Sequence, residues 1–285
     1  MTITSTSNPD NNLTLRFINS GAQPPEYNMA LDEALAISLA QKRNFCYLRF
    51  YRWYPASLSF GYNQRIERLI DFEEAARHKL GIVRRMSGGK MVFHADEHTF
   101  SLGMTAEFIK AATGSNATFL DMFKFAIEPL VEALLEQGVP ARFAAAREME
   151  SGRRNHLHCY AAAAGHSIFA GQHKLIGAAG VFRGDCLIIH GSIPISVVAP
   201  PTKVFLPDHT GSVNIEMAAL SDFLPPGDIA SIPDYAAKVY SRHCKCLLIN
   251  DLPDENELSL ATKLAREKYS QPDWPQKSAI TGASG

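Results

Sequence analysis

The chain has 285 residues, of which 46% are hydrophobic and 20% are charged, a composition typical of a globular protein with a sizeable core. Because 28 Lys and Arg residues nearly balance 29 Asp and Glu residues, the chain lacks the strong basic field of nucleic-acid and membrane-surface binders. The polar N-terminus has no signal-peptide core, and no uncharged apolar run approaches the roughly 18 residues that a membrane span needs.

The cysteine pattern indicates free thiols. There are five cysteines, an odd number, and only Cys244 and Cys246 are close together in sequence. Their spacing is not the C-x-x-C of a metal site, so the sequence predicts reduced cysteines and a cytoplasmic location.

The first half of the chain predicts a polar leader, a helix, several strands and a second helix. Residues 1–13 predict a disordered leader, and the helical spacing of apolar residues in 28–43 predicts a helix with Asn28 as its N-cap. Strands are predicted at residues 46–53, 56–62, 81–87 and 98–105. Residues 117–138 give the clearest helix, which Gly138 is expected to end.

The second half begins with a polar segment. Residues 141–158 carry Gly and Arg with weak periodicity and predict a loop. Two strands are then expected, at 166–182 and 186–198, and the first contains a turn at Gly171.

Two helices, at 234–243 and 255–269, complete the predicted elements. Strands and helices alternate without a regular βαβ repeat, which favours an α/β or α+β fold with a mixed sheet flanked by helices. The expected organisation is a main domain over residues 14–250 and a C-terminal helical extension and tail over 251–285.

One loop carries the strongest chemical signal. The stretch "RRMSGGKMVFHADEHTFSL" begins at Arg84, and its Gly88 and Gly89 lack Cβ atoms, so their backbone can approach a ligand closely. The arginines and Lys90 offer cationic donors for a phosphate, a carboxylate or a polarised carbonyl. Consecutive residues of a strand point to opposite faces, so one arginine should face a pocket, and we expect it to be Arg85.

This stretch resembles the signature RR-x-[ST]-GG-x-x-V-x-H-x-x-E-x-T-[YF]-S of the lipoate/octanoate protein transferase and ligase superfamily. Other segments resemble that family in the same order, namely "NMALDEALA", "PASLSFGYNQ", "HKLIGAA", "IIHGSIPI" and "KYSQPDW". The resemblance covers roughly residues 14–275. It implies a mixed sheet flanked by helices, as in biotin/lipoate protein ligase catalytic domains.

Within the superfamily, the chain looks most similar to the octanoyl-[acyl carrier protein]:protein octanoyltransferases that carry a cysteine fifteen residues before the lysine. Cys159 precedes Lys174 by fifteen residues (174 − 159). The resemblance implies that Cys159 is the nucleophile and Lys174 the acid/base. A free thiol with a pKa near ~8.5 is only partly ionised at neutral pH, and a lysine held close favours the thiolate. Because transfer between thioesters is nearly isoenergetic, no cofactor is expected.

The resemblance also implies substrate-binding roles in three segments. These residues are Arg85, Ser87, Gly88, Gly89, Lys90, His94, Gly177, His190 and Gly191. His94 is expected to hold the loop by hydrogen bonds, and His190 to shape an acyl pocket. Cys186, the rival thiol, is expected in the core. The histidines near Cys159, at 156, 158 and 166, match no zinc spacing, so no metal is expected.

Three functions stay open, in this order. The first is an acyltransferase that takes an octanoyl or lipoyl group from acyl carrier protein, or from another lipoyl domain. Its acceptor would be a lipoyl domain such as the glycine cleavage H protein or a 2-oxoacid dehydrogenase E2. The second is an ATP-dependent lipoate ligase that uses Lys174 without Cys159. The third, motivated by Ala178 and Ala179 where the family is more polar, is a non-catalytic acyl- or partner-binding protein. No nucleic-acid or membrane partner is expected.

Overall fold

The computed structural model describes residues 13–42, 45–145, 167–207, 217–271 and 274. The strands are β1 (Thr14–Gln23), β2 (Phe45–Trp53), β3 (Ser57–Phe60), β4 (Gly81–Arg84), β5 (Val92–His94), β6 (Glu97–Thr105), β7 (Ala141–Phe143), β8 (Ile168–Ala170), β9 (His173–Arg183), β10 (Cys186–Pro194) and β11 (Leu247–Asn250). The helices are α1 (Pro25–Gln41), α2 (Phe72–Arg77), α3 (Ala106–Thr113), α4 (Phe119–Glu136), α5 (Pro226–Cys244) and α6 (Glu255–Leu264), which continues as a π-helical turn at Ala265–Tyr269.

The described strands form two sheets. The larger follows the order β11-β1-β2-β6-β10-β9-β8-β7, and the smaller the order β4-β3-β5. In the larger sheet β1 pairs in parallel with β2 and β11, whereas every pairing from β2 to β7 is antiparallel. The predicted fold class, a mixed sheet flanked by helices, is therefore confirmed.

The larger sheet has two apolar faces, because side chains alternate along each strand. Leu48 and Phe50 of β2 pack into the core beneath α4 and α5, whereas Tyr47 packs with α1 on the opposite face. The apolar stripe of α4 is buried against the sheet at Phe123, Ile127, Leu130 and Leu134, whereas Leu120 near the start of the helix is half-buried. This helix ends where Gly138 takes a positive φ of 90°, as the sequence predicted.

The start of α1 differs from the prediction. The helix begins at Pro25 with Pro24 as its N-cap, because a proline at the first helical position loses no hydrogen bond. Asn28 is therefore not the cap. Its side chain is fully buried and accepts a hydrogen bond of 2.7 Å from Arg49.

Several short elements were missed. They are β1, β5, β7, β11, α2 and α3. Residues 141–143, expected to begin a loop, instead pair with β8, and α5 begins at Pro226, earlier than the predicted residue 234. Most of these elements are three to eight residues long, which is too short for a hydrophobic period to be recognised in the sequence. The longer strand β1 was missed because the buried Arg16 interrupts its apolar pattern.

The C-terminal elements fold back on the first strand and helix. Arg16 of β1 donates to Glu257 of α6 at 2.6 and 2.8 Å and to Asp251 at 2.5 Å. Lys42, just after α1, forms an ion pair of 2.7 Å with Asp254. The domain division after residue 250 stays a prediction, and residues 1–12 of the predicted leader lie outside the described part of the chain.

No helix in the ranges given above is both long and apolar enough to cross a membrane.

Candidate active site

A pocket lies on the α1 face of the larger sheet, where the smaller sheet and the Gly-Gly loop approach it. Its empty volume, which includes space open to solvent, is about 380 Å³. It is lined by Met29, Tyr51, Trp53, Ser59, Arg85, Gly89, Val92, His94, Thr99, Gly177, Ala178, Ala179, His190, Gly191 and Ser192.

Small residues on two neighbouring strands keep the pocket open. Gly177, Ala178 and Ala179 of β9 line it, so the alanines that depart from the family pattern make this wall apolar. Gly191 of β10 also lines the pocket, and a Cβ there would lie 2.2 Å from the ring of Phe100 in the core on the opposite face of the sheet. The remaining apolar lining comes from aromatic and aliphatic side chains, which suits a hydrocarbon chain.

Glu97 is a buried carboxylate behind the polar part of the wall. It accepts hydrogen bonds from Thr99 and Ser192, and its Oε1 lies 2.5 Å from Nδ1 of His94. Burial alone raises the pKa of Glu97, but the charge and hydrogen bond of His94 and the two hydroxyl donors outweigh it, so the pKa is lowered. The carboxylate thus orients three side chains that line the pocket.

The His94 ring is held on three sides. Besides Glu97, its Nε2 lies 2.5 Å from Oγ of Ser59, and the ring stacks on Trp53 with centroids 4.0 Å apart. This is the placement expected of a residue that fixes the loop by hydrogen bonds, and its part in substrate binding stays a prediction.

Substituting Glu97 by glutamine is expected to lower the free energy of unfolding by about 3 kcal/mol at pH 7, because an amide turns a donor toward groups that need an acceptor. The folded pKa of Glu97 is depressed, so its stabilisation is present above the unfolded value near ~4.3 and is lost as pH falls through the folded value. Urea unfolding at pH 7 and below pH ~4 tests both parts.

The exposed Glu73 on α2 provides the control, since Glu73→Gln should change stability little at either pH. A stability loss in Glu97→Gln that is the same at both pH values would contradict the ionised network.

Arg85 and Arg84 point in different directions, as expected for neighbours at a strand end. The Arg85 guanidinium lines the pocket and donates to Ser59 at 2.6 and 2.7 Å and to the carbonyls of Gly88 and Lys90 at 3.2 and 2.9 Å. It therefore ties β3 to the Gly-Gly loop. The Arg84 side chain instead donates to the backbone carbonyls of Gly61, Tyr62 and Gln64 and does not line the pocket.

The Gly-Gly loop rests on a second glycine loop. A Cβ at Gly61 would lie only 2.0 Å from the carbonyl oxygen of Gly89, whose φ is +94°. The amide of Tyr62 donates to the Ser87 carbonyl at 2.9 Å, and the amide of Gly61 donates to Gln64 Oε1 at 2.9 Å. The loops at 61–64 and 87–90 therefore form one layer, which we call the paired loops.

Under the acyltransferase function expected from the sequence, replacing Gly61 by alanine should displace the Gly89 carbonyl and raise KM for the acyl donor about tenfold, because Gly89 lines the pocket. Steady-state kinetics with the donor measures it. Gly227→Ala is the matched control, since a Cβ there meets nothing within 4 Å. An unchanged KM in Gly61→Ala would show that the loop does not touch the substrate.

His190 lines the pocket, and its buried Nε2 has no hydrogen-bond partner among the described residues. Its Nδ1 lies 3.4 Å from Oγ of Ser87, and its Nε2 lies 3.3 Å from Asp32 in a direction that forms no hydrogen bond. Burial above all, with the nearby Arg85 and Arg49, lowers the pKa of His190 against the opposing charge of Asp32. Burial therefore favours the neutral form of the ring.

The predicted catalytic pair is only half described. Lys174 is buried on β9, 4% exposed and three residues before Gly177, and its backbone carbonyl accepts from Ala218 at 3.0 Å. Cys159 lies outside the described residues, as do the histidines at 156, 158 and 166. The roles of Cys159 and Lys174 therefore stay predictions.

The predicted substrate residues fall into two groups. Those that line the pocket are Arg85, Gly89, His94, Gly177, His190 and Gly191. Ser87, Gly88 and Lys90 lie behind the lining, where they bond to Tyr62, His190 or Arg85.

Several lining residues were not among the site residues expected from the sequence. They are Met29, Tyr51, Trp53, Ser59, Val92, Thr99, Ala178, Ala179 and Ser192. The period of two along residues 47–53 was a usable signal, because it puts Tyr51 and Trp53 on the same face of β2.

The chain is similar to proteins of lipoyl-group attachment. Residues 24–240 match the family described as the lipoyl protein ligase A/B catalytic domain. Relatives include octanoyltransferase LipM of Moorella thermoacetica, 34% identical over 65% of this chain and 66% of the relative. That of Bacillus subtilis is 35% identical over 63% and 65%. These matches span just under two thirds of the relatives' own length.

Solved structures share the fold. A bi-partite lipoate protein ligase from Thermoplasma acidophilum superposes with a TM-score of 0.72 at 21% identity, covering 95% of this chain and 100% of that one. Lipoate-protein ligase A bound with ATP superposes with a TM-score of 0.71 at 23% identity, covering 94% and 99%. At these identities the similarity concerns the fold alone.

Proposed function

This chain belongs to the lipoyl protein ligase A/B catalytic-domain family, and from that premise we propose that it is an octanoyltransferase. It takes an octanoyl group from the thioester of acyl carrier protein and transfers it to a lysine of a lipoyl domain, as part of lipoate biosynthesis. The relatives named octanoyltransferase LipM, 34 and 35% identical, support this choice of reaction.

The observation that carries the proposal is the apolar pocket beside the lysine strand. Tyr51, Trp53 and Met29 form one side of the pocket. The small residues of β9 form another side, and the buried Lys174 lies near the start of the same strand. A chain of methylene groups gains about 0.8 kcal/mol for each one buried in such a site. The carbonyl end would then lie toward the polar side chains arranged by Glu97.

The reaction proceeds in two acyl transfers. The Cys159 thiolate attacks the donor carbonyl, a carbon–sulfur bond to Cys159 forms, and the carrier thiol leaves with the proton that Lys174 took from Cys159. The acceptor lysine, as a free amine, then attacks the enzyme thioester and Cys159 leaves as the thiol. One thioester is exchanged and then converted to an amide, so no ATP enters the balance.

The test is intact-protein mass spectrometry after mixing the protein with octanoyl-acyl carrier protein in the absence of ATP. The expected product is a hydroxylamine-labile octanoyl adduct that peptide mapping assigns to Cys159. Formation of lipoyl-adenylate from ATP and lipoate, with no adduct from the carrier protein, would instead assign the chain to the ligases. Carrier-protein binding without any covalent product would indicate a binding protein.

A further inference from the structure

Two residues 190 positions apart in the sequence bind each other reciprocally. Nε1 of Trp274 donates to the backbone carbonyl of Arg84 at 3.1 Å, and Nε of Arg84 donates to the backbone carbonyl of Trp274, also at 3.1 Å. Arg84 is 1% exposed, so this pair closes over a buried guanidinium.

The same guanidinium holds one of the paired loops. Its Nη1 donates to the carbonyls of Gly61, Tyr62 and Gln64, at 3.1, 2.6 and 2.8 Å. A buried guanidinium is costly to desolvate, and burial lowers the pKa of Arg84. Hydrogen bonds to the loop carbonyls and to the carbonyl of Trp274 together offset this desolvation cost. The orientation of Arg84 therefore depends on the loop and on Trp274.

The loop held by Arg84 touches the pocket loop directly. The amide of Tyr62 donates to the carbonyl of Ser87, and Gly61 abuts the carbonyl of Gly89, which lines the pocket. The chain of contacts therefore runs from Trp274 through Arg84 to the paired loops and reaches the pocket wall at Gly89.

The segment that carries Trp274 is itself anchored to α1. Lys268 forms ion pairs with Glu33 at 2.6 and 2.9 Å, and the hydroxyl of Tyr269 donates to the same carboxylate at 2.5 Å. The Trp274 ring packs edge-on against Tyr269, with centroids 5.7 Å apart, and lies 6.2 Å from the Tyr62 ring. The segment thus bridges α1 and the paired loops.

We propose that Trp274 is a positioning residue for the acyl-donor pocket, acting through Arg84 to hold the paired loops in place. The C-terminal segment is then part of the machinery that shapes the site, although Trp274 touches no lining residue in the contacts above. The kinetic consequence rests on the proposed function, whereas the effect on the loops does not.

The amide of Tyr62 is the reporter, because its hydrogen bond to Ser87 joins the two loops. Hydrogen exchange on the full-length protein should show this amide exchanging about tenfold faster in Trp274→Ala. In Trp274→Phe, which keeps a ring but lacks the indole donor, the increase should be smaller. In the same variants KM for octanoyl-acyl carrier protein should rise, whereas kcat should stay within about twofold of the wild-type value.

Tyr269→Phe is the matched control, since it loosens the same segment from Glu33 and leaves the indole–Arg84 pair intact. Its Tyr62 amide should exchange as in the wild type, and unchanged exchange in the β6–β10 ladder shows that each variant is folded.

Exchange at Tyr62 that stays at the wild-type rate in Trp274→Ala would overturn the proposal, as would an equal increase in Tyr269→Phe. Faster exchange at Tyr62 in a protein that forms no octanoyl adduct would support the positioning role and leave only the proposed reaction in error.

Discussion

Replacing Cys159 by alanine is expected to abolish octanoyl transfer, lowering kcat by about 10⁴-fold or more, as loss of a covalent nucleophile does in other enzymes. The measurement is the rate of acceptor octanoylation with carrier-protein donor and no ATP, together with the disappearance of the hydroxylamine-labile adduct.

The other cysteines support this expectation. None of the cysteines within the described ranges lines the pocket. Cys186 is fully buried on β10 among α1 side chains, and lies four residues, about 13 Å along the strand, from His190. Cys46 and Cys246 are buried in the core on the opposite face.

Cys244→Ala is the control, because this thiol is half-buried at the end of α5 and away from the pocket. It should keep full activity. If Cys159→Ala keeps full activity, and both this variant and the wild type require ATP for transfer, the chain uses the ligase mechanism.

Sequence reasoning located the parts of the site that belong to contiguous motifs. Gly88, Gly89 and Arg85 lie within six residues of one another, so a strand followed by a glycine pair is visible without knowledge of the fold. The strand bearing His190 and Gly191 was likewise expected, because its first four residues, 186–189, are all apolar.

The aromatic wall of the pocket was less visible. Tyr51 and Trp53 belong to β2, and whether their face is core or pocket depends on which strands flank it. That follows from the order of the sheet, in which β2 lies between the missed strand β1 and β6. Glu97 posed a similar problem, since its partner Ser192 is 95 residues away.

The contact between Trp274 and Arg84 is the one that the local sequence predicts least well. Neither residue has a periodic neighbourhood that points to the other, and the pairing arises only when the C-terminal segment returns across α1. The sequence suggested an extension after residue 250 as a separate unit. The ion pairs of Arg16 with Asp251 and Glu257, and of Lys42 with Asp254, bind this extension to the first strand and helix.

In the proposed mechanism Lys174 has two roles. As a charge it would stabilise the thiolate, and as an acid/base it would move the proton from Cys159 to the leaving thiol. Replacing it by methionine removes both and is expected to lower the rate of adduct formation by about 10²- to 10⁴-fold. Arginine keeps the charge but does not give up its proton, so it supplies only the first role.

We therefore expect Lys174→Arg to form the Cys159 adduct slowly, at a rate that rises with pH as the thiol ionises without a base. Rapid-quench mass spectrometry between pH 6 and 9 measures the rate, and Lys203→Met, on an exposed 3₁₀ turn, is the control for loss of a lysine. Adduct formation at the wild-type rate in Lys174→Arg would mean that charge alone suffices. In that case the proton must reach the leaving thiol by another route, and His94 and His190, both lining the pocket, are the described groups able to carry it.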